Sequence, residues 1–246
     1  MKTLRITIFI TVSLLSSYFF LVEKPLAGLE NEIPSLVYLL VGLLPVAVLF
    51  LMGSFFRSRM KDTPTLSLFG NNKQLSIAVA AMPVICLTMF GVPNSMDIQP
   101  NLFGLYLSLM MTGYALLAEF GWRGYLQEEL NFSNKWVNYT IIGIVWYAWH
   151  WFFLHTGMVN DILNVLLFIT LISISGVIGD VTKKTKSLLI GAAFHALGNT
   201  IYFYGLTANH ISAEAKLAIP IICIVSWVLL LKKATKTESE FVEANA

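Results

Sequence analysis

The chain has 246 residues, of which 57% are hydrophobic and only 12% charged, against roughly 25% charged in soluble domains. With a mean hydropathy of +0.72, it lacks the polar surface that a soluble globular fold of this length requires. A net charge of +2 gives no basis for nucleic-acid binding. Cys86 and Cys223 both sit in apolar runs, so they read as packing residues rather than a disulfide framework.

Eight segments meet or approach the roughly 20 apolar residues of a spanning helix: 6–22, 34–56, 75–92, 102–120, 137–154, 162–178, 188–206 and 217–231. The first, preceded by Lys2 and Arg5, imitates a signal peptide. Its apolar run exceeds the roughly 7–15 residues of such a leader and no A-x-A site follows, so it reads as a transmembrane helix. The fourth can run past Phe120, which would carry Glu119 and Arg123 inside a helix. The last is short.

Alternate loops are basic. Lys2 and Arg5 precede the first helix. Arg57, Arg59, Lys61 and Lys73 follow the second, and Arg123 and Lys135 flank the turn after the fourth. Lys183, Lys184 and Lys186 follow the sixth, and Lys232, Lys233 and Lys236 the eighth. The other loops hold Glu30, Glu32, Asp97 and Asp161. The positive-inside rule then predicts both termini in the cytoplasm. The expected fold is an all-α, polytopic membrane bundle of about eight helices. It divides into an N-terminal three-helix region (1–101), a membrane core (102–234) and a polar cytoplasmic tail (235–246).

Ionisable groups inside spanning helices are costly and mark sites by default. Glu119 and Arg123, four apart, share a helix face; taken alone they could be a salt bridge that neutralises two awkward charges. His150 follows the aromatic run Trp146-Tyr147-Ala148-Trp149 and lies roughly 20 Å along its helix; a core histidine is the bland alternative. His195 and Asn199 are again four apart, and interhelical packing glue is theirs. His155 and His210 read as interfacial or loop residues. Tyr147 and Trp149, at helical spacing, read as core or lipid-facing. Three helices offering Glu, His and His/Asn at similar depth exceed what packing requires.

A carboxylate and two imidazoles in an apolar cavity suit general acid/base work on a water molecule. A second histidine and an amide could donate to a developing oxyanion. No G-x-S-x-G elbow occurs, and neither cysteine belongs to a cluster. Glu119, His150 and His195 could hold zinc with an open position. H-E-x-x-H is absent, however, so no metal or other cofactor is expected.

The three clusters resemble the signature of the CPBP family, the CAAX-processing and bacteriocin-processing intramembrane proteases also described as Abi. That signature is E-E-x-x-x-R, then aromatic-x-x-x-His, then His-x-x-x-Asn. Glu119 and Arg123 match the second Glu and the Arg, Trp146 and His150 the second motif, and His195 and Asn199 the third. The resemblance covers about residues 113–204; the first three helices carry no matching signature.

It implies an intramembrane endopeptidase acting on prenylated or unmodified peptides, in the inner membrane if the source is bacterial. One departure is central. The first Glu of the pair, which the family is thought to use to activate water, falls on Ala118. Glu119 cannot simply replace it, because adjacent helical residues point about 100° apart. Ala118 therefore implies an impaired enzyme, whether by engineering or by nature. The alternative is a non-catalytic peptide-binding or bacteriocin-immunity protein that uses the same cavity. A transporter is less favoured, since broken helices and paired half-repeats are not evident.

Overall fold

The computed structural model describes residues 2–22, 34–56, 66–94, 96–130, 132–154, 161–203 and 211–244. The expected loop residues Glu30, Glu32, Arg57, Arg59 and Lys61, the Asp161 side chain, and His155 and His210 lie outside the described residues. The described elements are helical. They are α1 (Lys2–Val22), α2 (Pro34–Phe56), α3 (Lys73–Phe90), α4 (Pro100–Glu119), a π turn (Phe120–Leu126), α5 (Gln127–Leu130), α6 (Lys135–Leu154), α7 (Asp161–Thr185), α8 (Leu188–Gly198), a second π turn (Asn199–Phe203) and α9 (Ala213–Ala244).

Among the described residues, four stretches are long and apolar enough to cross a membrane: Lys73–Phe90, Pro100–Leu130, Asn164–Thr185 and Ala213–Ala234. The second confirms that the fourth segment continues past Phe120: α4, the π turn and α5 form one 31-residue helix. The eighth segment is longer than its hydropathy implies. Its 32-residue helix runs on through Lys232 and Lys233, because helix propensity does not end where apolarity does. Outside, the bundle is apolar: Phe50 is 75% exposed and Met89 73%, as lipid-facing side chains are and as a soluble surface seldom is.

Local chemistry sets the helix ends. Asn72 caps α3 by accepting from the Leu75 amide at 2.9 Å, and Gly91 ends it with φ +70°, where a side chain would be strained. Pro100 opens α4, as proline does at a first helical position. Asn101 donates to the Thr88 carbonyl at 2.7 Å, which ties the end of α3 to the start of α4.

At the centre α4 packs against α2, α3 and α8. Gly104 allows the closest approach, since a Cβ there would overlap the Leu87 carbonyl of α3. Around this core, α8 also touches α3 and α7, α6 lies on α7 and α1, and α9 lies on α3. Although it carries no motif, α1 reaches the motif helix. Phe9 meets the Trp122 ring edge-on at 5.6 Å, and Arg5 pairs with Glu129 at 2.9 Å.

A backbone clamp fixes where α8 begins. Residues 67–71 run beside the α7–α8 link: Ser67 N–H donates to Lys186 O at 2.9 Å, Asn71 N–H to Thr185 O at 3.0 Å, and Leu188 N–H to Ser67 O at 3.0 Å. Ser187, fully buried, caps α8 by accepting from Ile190 N–H at 3.2 Å. It also lies 2.9 Å from the Ser76 hydroxyl. Two turns further along α8 stands His195.

Candidate active site

The long central helix changes its winding at its charged motif. After Glu119 the chain leaves α geometry for the seven-residue π turn Phe-Gly-Trp-Arg-Gly-Tyr-Leu. Such insertions are rare and concentrate at functional sites. Gly121 lets the turn touch α2, where an added Cβ would overlap Pro45. A second π turn begins at Asn199, the last polar residue of the third motif. Hydropathy carries no signal for either, so sequence reasoning missed both.

The structure brings Glu119, Arg123 and His195 into direct contact. Arg123 Nη1 donates to Glu119 Oε1 at 3.1 Å, and both side chains are fully buried. His195 Nδ1 lies 2.9 Å from the same oxygen and is 1% exposed. A carboxylate oxygen only accepts, so with Glu119 ionised the proton sits on Nδ1. Glu119 Oε2 and His195 Nε2 are buried without a hydrogen-bond partner among the described residues, and such groups call for water or a ligand.

His150 stands beside this cluster rather than in it. Its ring centroid is 6.3 Å from that of His195, and its Nδ1 donates to the Trp146 carbonyl at 2.7 Å. Trp146 links all three motifs. Its ring lies 4.8 Å under the Arg123 guanidinium, with the His195 ring edge-on at 4.7 Å and the His150 ring at 5.2 Å. A cation over an indole face is attracted by the ring quadrupole. Asn199 is 9% exposed, one turn beyond His195 on the same chain segment. Ala118 is fully buried next to Glu119.

Further residues complete the arrangement. Ser175 on α7 accepts from Arg123 Nη2 at 3.4 Å and donates to the Tyr139 carbonyl at 3.1 Å, joining the π turn, α6 and α7. Tyr114 packs edge-on against His195 at 5.7 Å. A serine and a tyrosine in apolar helices give no sequence signal that separates them from packing. Trp149 is core, with its ring 5.5 Å from Trp122, and Tyr147 packs on Phe168 at 5.0 Å.

Gly191 is where α8 crosses α7 beside the site. An added Cβ would lie 2.6 Å from Thr182 Cγ2 and 3.5 Å from Glu119 Oε2. Gly191→Ala is therefore expected to destabilise the bundle by about 1–3 kcal/mol, the usual range for overpacking. Thermal unfolding in detergent would read this as a lowered midpoint; an unchanged midpoint would mean that the helices separate freely here.

Among the described residues, no three His, Cys, Asp or Glu side chains gather in a group that could hold a metal ion. Both imidazole Nδ1 atoms are already committed, one to Glu119 and one to a backbone carbonyl.

No curated protein matches the chain. Residues 100–201 match the family described as type II CAAX prenyl endopeptidase Rce1-like. That stretch opens with α4 and contains Ala118, Glu119, Arg123, Trp146, His150, His195 and Asn199. The motifs and the match therefore point the same way: residues 100–201 of this chain are similar to the Rce1-like type II CAAX prenyl endopeptidase family.

Proposed function

We propose that the chain is built as an intramembrane endopeptidase of the CAAX-processing or bacteriocin-maturation type, and that Ala118 leaves it impaired. The supporting observation is the fully buried Glu119 carboxylate, one oxygen of which meets both Arg123 and His195. Three ionisable groups withdrawn from water cost more than apolar side chains of the same volume. Stability alone does not favour such a set, whereas chemistry does.

Each residue then takes a role. Arg123 balances the Glu119 charge, and Glu119 orients the His195 ring through Nδ1. His195 Nε2 in its protonated form and the Asn199 amide donate to the oxyanion formed when water attacks a peptide carbonyl. His150 works with the base that takes the water proton. In the family pattern that base is the carboxylate at position 118; a methyl group accepts no proton. No metal enters the scheme, so a chelator should leave any cleavage intact.

The same reading includes eight spans with both termini cytoplasmic. It assigns 1–101 to an N-terminal membrane region, 102–234 to the peptidase core and 235–246 to a cytoplasmic tail, with the protein multi-pass in a membrane, the inner membrane if the source is bacterial. Substrates are peptides, prenylated or not, that reach the cavity from the cytoplasm or from lipid.

The test is a paired assay of the purified chain and its Ala118→Glu variant on prenylated and unmodified peptides, with products identified by mass. Cleavage by the variant supports the reading and names the substrate class. Peptide that binds both proteins and is cut by neither would overturn it in favour of a peptide-binding or immunity role.

A further inference from the structure

Two thiols meet inside the bundle, on helices that carry none of the motifs. Cys86 on α3 and Cys223 on α9 are free and buried, with their sulfurs 3.9 Å apart. Each follows an internal proline at the same spacing, as Pro83-Val84-Ile85-Cys86 on α3 and Pro220-Ile221-Ile222-Cys223 on α9. The peptidase scheme uses neither thiol.

A proline inside a helix has no N–H for the carbonyl four residues back. Pro83 thereby frees the Val79 carbonyl, and Trp227 fills it from α9, its indole N–H donating at 2.9 Å. Ile219, Cys223 and Trp227, each four apart, form a buried stripe along α9. Pro220 removes a rung at the Lys216 carbonyl in the same way. Both helices are thus loosened one turn before their cysteine. A disulfide holds its sulfurs at about 2.05 Å, so closure from 3.9 Å takes side-chain rotation and a small approach of the helices. The missing rungs supply that compliance.

From this geometry we infer that Cys86 and Cys223 form a reversible disulfide that staples α9 to α3, with a lipid-soluble hydroperoxide as the oxidant. Ile85, Ile222 and Ile224, the immediate neighbours of the two cysteines, are exposed on the apolar outside of the bundle. An apolar peroxide dissolved in hydrocarbon reaches this depth, whereas a charged oxidant does not. Cys223 S–H donates to Cys86 Sγ, which favours Cys86 as the attacking sulfur. That sulfur takes the terminal peroxide oxygen, the O–O bond breaks, and the alcohol leaves with the thiol proton. Cys223 then displaces the hydroxyl of the sulfenic acid as water, and the S–S bond forms. Two thiols and one hydroperoxide give one disulfide, one alcohol and one water.

The staple bears on the motif region through a single stack. Trp227, one turn beyond Cys223, lies on the Phe194 ring at 4.0 Å, and Phe194 directly precedes His195. This inference is independent of the peptidase reading and its test involves no cleavage, so either can fail without the other.

The full chain in detergent would be treated with cumene hydroperoxide, denatured, and its remaining thiols alkylated and counted by mass spectrometry. Both thiols should disappear together, the two cysteine peptides should be found joined within one chain, and dithiothreitol should restore both. The thermal midpoint should rise with the cross-link, which closes a loop between residues 137 apart. Cys223→Ala should halt at a sulfenic acid on Cys86 that dimedone traps, and its midpoint should not rise. Thiols that persist in the treated parent, oxygen added to both cysteines without joining, or disulfides that form only between chains would each overturn the inference.

Discussion

Ala118→Glu is expected to raise peptide hydrolysis about 10²- to 10⁴-fold over the chain as it stands, the usual contribution of a positioned general base. The argument rests on what the neighbouring carboxylate is already doing. Glu119 Oε1 accepts from Arg123 and His195 together, so Glu119 is committed to holding a ring and a guanidinium. A second carboxylate one residue earlier would be free of that duty. The opposing effect is burial: Ala118 is fully enclosed, and a carboxylate there loses its hydration. Nearby, however, His195 Nε2 lacks a partner among the described residues, so the site has polar capacity to spare. A modest fall in thermal stability together with a large gain in rate is the expected pair of results. Ala118→Gln, of the same size but not a base, should share the stability loss and gain no activity.

The second large effect concerns the buried ion pair. Arg123→Met should destabilise the protein by about 3–5 kcal/mol, because it strands the Glu119 carboxylate in an apolar interior. Arg123 also loses its seat over Trp146, 4.8 Å from the ring, which adds to the cost. Glu119→Gln combined with Arg123→Met removes both charges and keeps an acceptor for His195 Nδ1. Much of the stability should then return, since an uncompensated charge costs more than a missing pair. Thermal midpoints of the two single variants and the double variant in one detergent would measure this. Strict additivity of the losses would mean that the two side chains do not sense each other.

Hydropathy made the bundle legible, because lipid-facing and core-facing residues are both apolar and only the loops break the pattern. The helix carrying Glu119 was readable as continuous, and α4 does run on through the π turn to Leu130. The i to i+4 spacing correctly paired Glu119 with Arg123, since that pair bonds directly even where the winding changes. The meeting of Glu119 with His195, 76 residues apart, was visible only as a requirement of shared depth. Nothing local in the chain encodes which imidazole takes the carboxylate, and it is His195, with His150 held instead by the Trp146 carbonyl.

What stayed hidden has a common physical reason. The first π turn packs Gly121 against Pro45, a tertiary contact that periodicity does not encode. Ser175 reads as one more small residue of α7 until Arg123 reaches it across two helices. The clamp between residues 67–71 and the α7–α8 link is made of backbone hydrogen bonds, which carry no side-chain signature. Gly191 gives no local signal either, although α8 meets α7 there beside Glu119.

The central claim is that Glu119 holds His195 for chemistry on a peptide. Its most direct test compares the turnover of Ala118→Glu with that of Ala118→Glu carrying His195→Ala, on whichever peptide the single variant cuts. The account predicts that kcat falls at least about 10²-fold, as when an oxyanion donor is lost, while KM stays within a few-fold. Equal kcat for the two proteins would show that His195 is a packing residue and would contradict the assignment of the site.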